Sequence, residues 1–161
     1  MKKEISENEA RFKAEAYCSV AERCRVDVMG KLYQWGVPSV WVDGIMDHLE
    51  REGYVDHLRY AKAFVRDKYR FNQWGRMKIV QSLRQKHLSS ADIHVAMEEI
   101  DEEEYSLFLE HLLERKLLGI KAKNSFERNG KLVRYAVSRG YEMDEILNCL
   151  KRIGCDDEAF E

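Results

Sequence analysis

Proline is all but missing from this chain: Pro38 is the only one in 161 residues, so little in the sequence forces helical runs to break. Long hydrophobic runs are missing as well. The uncharged apolar stretches are a few residues long, whereas a membrane-spanning helix needs about 20. The start, Met1-Lys2-Lys3-Glu4, leads into more charge and no apolar segment, so no secretory signal is expected and the chain is expected in the cytoplasm. Cysteine is sparse and unpatterned. Cys18 and Cys24, like Cys149 and Cys155, stand six residues apart, which on a helix sets them about 240° round from each other. There is no Cys-x-x-Cys and no histidine close to either pair. Reduced, buried thiols are the expectation, with no metal.

Catalytic signatures are lacking too. Gly119 is followed by no Gly-Lys-Ser/Thr, so there is no phosphate-cradling loop. His48 and His111 have glutamates nearby but form no His-Glu-x-x-His helix. Five scattered histidines present no nucleophile–base arrangement. A non-enzymatic protein without a cofactor is expected.

What is present is helical period throughout. Hydrophobic residues at 45% and charged residues at 35% suit a folded helical protein. Trp41, Val42, Ile45, Met46 and Leu49 form one stripe, with Gly53 placed to end the helix and Ser39 placed to cap it. Ile79, Val80 and Leu83 mark a helix ending near His87. Ile93, Ala96, Met97 and Ile100 mark another, with Ser89 or Ser90 at its start. Further on, Leu132, Val133, Ala136 and Val137 run to Gly140, and Ile146, Leu147, Leu150 and Ile153 run to Gly154.

The segments repeat. A shift of 51 residues carries Leu32 onto Leu83, Val37 onto Leu88, Val42 onto Ile93 and Met46 onto Met97. A further 53 reaches Ala136, Tyr141, Ile146 and Leu150. Each helix pair follows a longer amphipathic helix, near Glu9–Glu22, His57–Phe71 and Asp101–Leu118. Three short helices cannot hide their apolar stripes alone, so tandem copies must pack on one another. The expectation is an all-α chain of three tandem three-helix repeats forming an elongated, curved molecule. The first repeat and N-terminal helix take residues 1–55, the second 56–100 and the third 101–154, with an acidic tail at 155–161.

At the first junction the chain reads Gly53-Tyr54-Val55-Asp56-His57-Leu58-Arg59-Tyr60-Ala61. Gly75-Arg76-Met77-Lys78-Ile79 and Leu83-Arg84-Gln85-Lys86-His87-Leu88 follow, and Arg139-Gly140-Tyr141 closes the series. In order and spacing these stretches resemble the RecX regulatory family from about Ala14 to Ile153. That family carries Gly-Tyr/Phe-Ile/Leu-Asp-Asp-x-Arg-Phe-Ala, Gly-x-x-Arg/Lys-Ile and Leu-x-x-Lys-Gly-Ile. Here the second Asp is His57, the Phe is Tyr60 and the turn glycine is His87. The motif residues Gly53, Tyr54, Asp56, Tyr60, Ala61, Gly75, Ile79, Leu83 and Lys86 read mainly as structural, with Asp56 at an N-cap. The resemblance implies a regulator that binds the RecA recombinase filament and modulates, usually inhibits, its strand exchange, ATPase and coprotease activities in DNA repair.

Charge is uneven despite a net of −2. Between His57 and Leu88 stand Arg59, Lys62, Arg66, Lys68, Arg70, Arg76, Lys78, Arg84 and Lys86 against one acid, Asp67. A second basic stretch includes Lys123, Arg128, Lys131 and Arg134. A solvated outer face accounts for any one of these. The imbalance of the block suggests a surface facing DNA or the filament, with Tyr69, Phe71, Trp74 and Tyr135 among the charges as stacking candidates. The partners expected are the RecA filament and non-specific single- or double-stranded DNA, for a monomer with no membrane contact. Two alternatives are a helix-turn-helix-like DNA-binding protein and a helical-repeat scaffold for protein interaction.

Overall fold

The computed structural model describes residues 4–155; the expected acidic tail lies outside the described residues apart from Cys155. The described residues form helices and no strand, in the order α1 Glu7–Val20, α2 Arg25–Gln34, α3 Ser39–Arg51, α4 His57–Arg70, α5 Arg76–Gln85, α6 Ser90–Met97, α7 Glu102–Leu118, α8 Ser125–Ser138 and α9 Met143–Arg152. Three helices per repeat, three times over, is the arrangement that the register of apolar residues implies.

Helix starts are set by short side chains. The Glu9 N–H donates to Ser6 Oγ at 3.1 Å, so α1 begins two residues before the apolar stripe suggests. Asp56 Oδ1 accepts from the Arg59 N–H at 2.9 Å, Ser89 Oγ from Asp92 at 3.1 Å, and Asp101 Oδ1 from Glu104 at 2.9 Å. Ser39 does not cap α3. It is the first helical residue, and Pro38 occupies the cap position, where its fixed φ leads into the first turn.

Helix ends explain the repeat better than any other feature. At Gly36, Gly53, His87, Gly140 and Gly154 the backbone enters the left-handed region, with φ of 76°, 79°, 63°, 97° and 80°. Each of these N–H groups donates three residues back, and the next N–H donates five back: Val37 to Leu32, Tyr54 to Leu49, Leu88 to Leu83, Tyr141 to Ala136 and Cys155 to Leu150. This double bond is the Schellman closure. It turns an apolar residue inward after each helix, and Val37, Leu88, Tyr141 and Cys155 are all buried. Glycine takes such a φ without strain. His87 takes it at a cost of roughly 1 kcal/mol, with its side chain exposed. His87→Gly is therefore expected to stabilise the protein by about 1 kcal/mol and raise the melting midpoint by roughly 2–4 °C, read by circular dichroism at 222 nm.

The chain divides into two compact units. The first takes the residues up to Ala63 together with Leu83–Ala96. Its core is built from Ala10, Ala14, Val28, Leu32, Val42, Ile45, Met46 and Leu49, with α1, α2 and α3 packed on one another. Ala10 and Ala14, fully buried, let α1 approach closely. His57 replaces an acid of the motif and finds a local role here: its Nε2 accepts from the Arg25 N–H at 3.0 Å, capping α2 from the start of α4.

The second unit takes Phe64–Ser82 and the residues from Met97 on. There α7, α8 and α9 pack together around Tyr105, Leu109, Leu113, Leu132, Ala136, Ile146 and Leu150, all of them at most 2% exposed. Full burial of one such aliphatic side chain contributes about 1.5–3 kcal/mol. Asn129 is the buried polar residue of this core, and its Nδ2 donates to the Cys155 carbonyl at 2.7 Å, tying α8 to the end of α9. All four cysteines are free and buried. Burial pushes the Cys18 and Cys149 thiols up to about 11, away from the reactive thiolate form.

Candidate functional site

The motif stretches occupy helix junctions. Tyr60, Ala61, Ile79 and Leu83 are buried, Gly53 closes α3, and Asp56 caps α4. Lys86 Nζ lies 2.6 Å from Asp27 Oδ1. Burial opposes the Asp27 charge, but the hydrogen bonds from Lys86 and Cys24 outweigh it and hold the carboxyl below its ordinary range. The same hydrogen bond raises the Lys86 ammonium above its ordinary value.

Gly75 sits where two turns touch. Its N–H donates to the Arg139 carbonyl at 2.7 Å, and the Met77 N–H donates to the Gly140 carbonyl at 3.0 Å. The Tyr141 hydroxyl donates to the Gln73 carbonyl at 3.0 Å, and an Arg139 guanidinium nitrogen donates to the Asn72 carbonyl. The turn between α4 and α5 is thus held against the turn between α8 and α9.

Five of the nine basic side chains of the 57–88 block are engaged with acids that lie far away in sequence. Arg59 meets Glu22 at 2.6 Å and donates to the Gly53 carbonyl at 2.9 Å. Arg66 meets Glu99 at 3.4 Å, and Arg70 meets Glu104 at 3.4 Å. Arg76 lies over the Tyr105 ring at 4.0 Å, with Glu102 at 2.6 Å and Glu142 at 2.8 Å. Burial works against its charge, but the hydrogen bonds to Glu142 and Glu102 outweigh it and raise its pKa. The Tyr105 hydroxyl donates to Glu142 at 2.5 Å and accepts from the Arg76 N–H at 2.9 Å. Burial and Glu142 together push that phenol well above its ordinary value. In the third repeat Lys131 pairs with Glu127 at 3.4 Å, and Arg128 Nε donates to Asn129 at 3.0 Å.

Other bases meet no carboxylate among the described residues. In the first unit these are Lys62 and Arg84; in the second, Lys68, Lys78, Lys123 and Arg134. Two of these flank one ring. Lys68 Nζ lies 4.7 Å and Lys78 Nζ 4.5 Å from the Trp74 ring centroid, and Phe64 meets the same indole edge-on at 6.2 Å. The last turn of α4 supplies Lys68, the first turn of α5 supplies Lys78, and the short connection between them holds Trp74 half-buried. Cations this close to an indole gain about 0.5–1 kcal/mol while keeping their charge at the surface. Of the other stacking candidates, Phe71 is 81% exposed, Tyr69 is fully buried, and Tyr135 is half-buried beneath Lys116 at 4.7 Å. Tyr69 therefore has no ring face to offer; its hydroxyl lies 3.2 Å from Glu104. Among the described residues no cluster of His, Cys, Asp and Glu is arranged to hold a metal ion.

The family models for the RecX second and third three-helix domains match residues 56–97 and 109–150. The regulatory protein RecX of Pseudomonas fluorescens is 35% identical over 138 residues, which cover 84% of this chain and 86% of the relative. This chain belongs to the RecX family. The regulatory protein RecX of Vibrio campbellii is 38% identical over 101 residues, covering 63% of this chain and 61% of that protein. Two solved RecX structures share the fold. One, described as a regulatory protein RecX, superposes with a TM-score of 0.78 at 22% identity, covering 94% of this chain and 82% of the other. The second, RecX from Lactobacillus salivarius, gives 0.76 at 17% identity, covering 92% and 96%. The RecX relatives are named as regulatory proteins, not as enzymes. No helix among the described residues is long and apolar enough to cross a membrane.

Two features escaped the reading of the sequence. One is the set of carboxylates that meets the basic block, which local charge counting cannot find because the partners lie 33 to 66 residues away in the pairs Arg66–Glu99, Arg70–Glu104 and Arg76–Glu142. The other is an aromatic and cationic cluster around Tyr17 and Trp35 on the first repeat.

Proposed function

We propose that this chain is a regulator of the RecA recombinase, binding its filament on DNA in the cytoplasm and lowering its recombinase, ATPase and coprotease activities. Membership of the RecX family supports the regulatory role. The observation that carries the choice of surface is the Lys68–Trp74–Lys78 cluster. It combines unpaired positive charge with an aromatic face, as a contact to a phosphate backbone and its bases requires. Lys123 and Arg134 extend the unpaired charge of the second unit, and Lys62 and Arg84 supply it in the first. Arg59, Arg66, Arg76 and Lys86 serve in this reading to hold the repeats together.

A ligand that prefers one filament state shifts the assembly equilibrium by the difference between its affinities for the two states. The chain lies along the filament, touches neighbouring protomers and biases them towards disassembly. No cofactor and no bond-making step is involved.

The test is RecA ATPase on single-stranded DNA with this protein titrated in. Wild type is expected to lower the rate at substoichiometric amounts. The Lys68→Glu/Lys78→Glu variant is expected to lose at least about tenfold in potency, as loss of two charge contacts of roughly 1 kcal/mol each implies, with an unchanged melting curve. Full inhibition by that variant assigns the contact elsewhere. No effect of wild type on the rate overturns the regulator reading.

A further inference from the structure

The first repeat carries a second aromatic and cationic surface that the charge distribution along the sequence does not reveal. Tyr17 on α1 and Trp35 at the end of α2 meet edge to face, with ring centroids 6.1 Å apart and planes at 86°. Both rings are half-buried, each packing one side against the core of α1–α3. Three cations stand over them. Lys13 Nζ is 4.4 Å from the Trp35 centroid, the Arg23 guanidinium is 4.0 Å from that of Tyr17, and Lys31 Nζ is 5.7 Å from Tyr17.

The placement follows from helix geometry. Lys13 precedes Tyr17 by one turn on α1, and Lys31 precedes Trp35 by one turn along α2, so each helix offers a lysine and a ring on one face. The two helices then cross the pairs, so each lysine covers the ring of the other helix. None of the three cations has a carboxylate partner among the described residues. Arg23 makes only a hydrogen bond from Nε to the Tyr17 carbonyl at 3.3 Å. Arg25 and Arg59 in the same unit, by contrast, are each bound to a glutamate at 2.6 Å. Three uncompensated charges within reach of two rings form a local positive potential with flat apolar faces beneath it.

We propose that this surface binds single-stranded nucleic acid. Lys13, Arg23 and Lys31 engage successive phosphates, and the indole of Trp35 stacks on a base once the flexible Lys13 swings off it. An acidic peptide would satisfy the charges but leave the two rings without a planar partner. Single-stranded nucleic acid supplies both. The site needs no RecA, so it stands or falls apart from the regulator reading.

The experiment titrates the full chain into fluorescein-labelled oligo-dT without RecA, reading anisotropy over a range of salt. The Lys13→Gln/Lys31→Gln variant changes two solvent-reaching side chains, and an unchanged melting curve establishes its fold. Each lost phosphate contact removes about 0.7 from the slope of log K against log salt, so the double variant is expected to lose about 1.4 and to bind several-fold more weakly at low salt. An unchanged slope and affinity overturn the proposal. So does binding of poly-glutamate in preference to oligo-dT, which would assign an acidic protein partner instead. Photocrosslinking of wild type to an iodouracil-substituted oligonucleotide is independent of any variant. Adducts on the peptides holding Tyr17 or Trp35 are expected, and adducts found only in other repeats overturn the assignment. Lost RecA inhibition with oligonucleotide binding retained would refute the regulator reading alone.

Discussion

Gly75→Ala is expected to cost about 3–5 kcal/mol, the range in which overpacking forces backbone to move. A methyl group on Gly75 falls onto the Gly140 carbonyl and the Tyr141 nitrogen. Those atoms are main chain and cannot rotate away. The two turns must separate, which strains or breaks the Gly75–Arg139 and Met77–Gly140 hydrogen bonds at 2.7 and 3.0 Å. Gly140→Ala meets the same barrier from the other side, where the new methyl runs into the Lys78 Cβ and comes within 2.7 Å of its nitrogen. It also places a side chain at φ 97°, so its cost should be at least as large. Gly30, inside α2 with open space around it, is the control. Alanine there is expected to leave stability unchanged or raise it by up to about 1 kcal/mol. Urea denaturation followed at 222 nm separates the three variants. A Gly75→Ala protein within 1 kcal/mol of wild type, roughly the error of such a comparison, would show that the turns do not touch as described.

Arg76→Met is expected to cost about 2–3 kcal/mol, less than the loss of a fully buried pair because Glu102 remains in solvent. Without the guanidinium, Glu142 and Glu145 lose the cation they share, which lies 2.8 and 3.9 Å from the two. The sign with pH follows from Glu145. Burial first, and the Glu142 charge second, already hold its carboxyl above the ordinary value of 4.5, while Arg76 draws it back down. Removing Arg76 raises it further. A carboxyl raised in the folded state weakens the fold above that raised value, and the penalty fades as pH falls towards 4.5. The gap between wild type and variant should therefore be largest near neutrality and narrow at acid pH, as measured by melting at a series of pH values. Arg84→Met, at an exposed position without an acidic partner among the described residues, should stay within about 0.5 kcal/mol at every pH. An Arg76→Met protein matching Arg84→Met would place Arg76 among the free surface cations after all.

These expectations alter how the basic block is tested. Reversing Arg66, Arg76 and Arg84 together would put glutamates beside Glu99, Glu102 and Glu142, and a lost activity would then report an unfolded second unit. Reversal at Lys68 and Lys78, whose charges rest on the Trp74 ring, isolates binding from folding.

Helix content, the repeat and the family were legible from residue order. Apolar spacing at 3.6 residues is a local property, and so are the glycines that close helices, because the left-handed C′ position excludes most side chains. The register Val37, Leu88, Tyr141 marks the same closing residue three times. Even His87, a departure from the motif, kept the backbone of the glycine it replaces, at φ 63°, because the Leu88–Leu83 bond and the burial of Leu88 impose it. Caps were legible in the same way at Asp56 and Ser89. They failed at Ser39, where the proline before it already holds the entry to the helix.

The functional surface was legible only in part. Nine bases against one acid in residues 57–88 gave the block its positive character, and no local rule could discount it. Folding brings Glu22, Asp27, Glu99, Glu102, Glu104 and Glu142 onto five of those bases, with Glu102 and Glu142 sharing Arg76. Conversely, Lys13, Arg23 and Lys31 are dispersed among acids in the sequence, and helix packing gathers them around Tyr17 and Trp35. By itself the sequence determined an all-helical, three-repeat RecX chain, because periodicity, caps and turn residues act over a few positions. Which charges remain free to meet a partner was decided by the tertiary structure alone, because an ion pair depends on distance in space and the residues that neutralise one another here come from different helices.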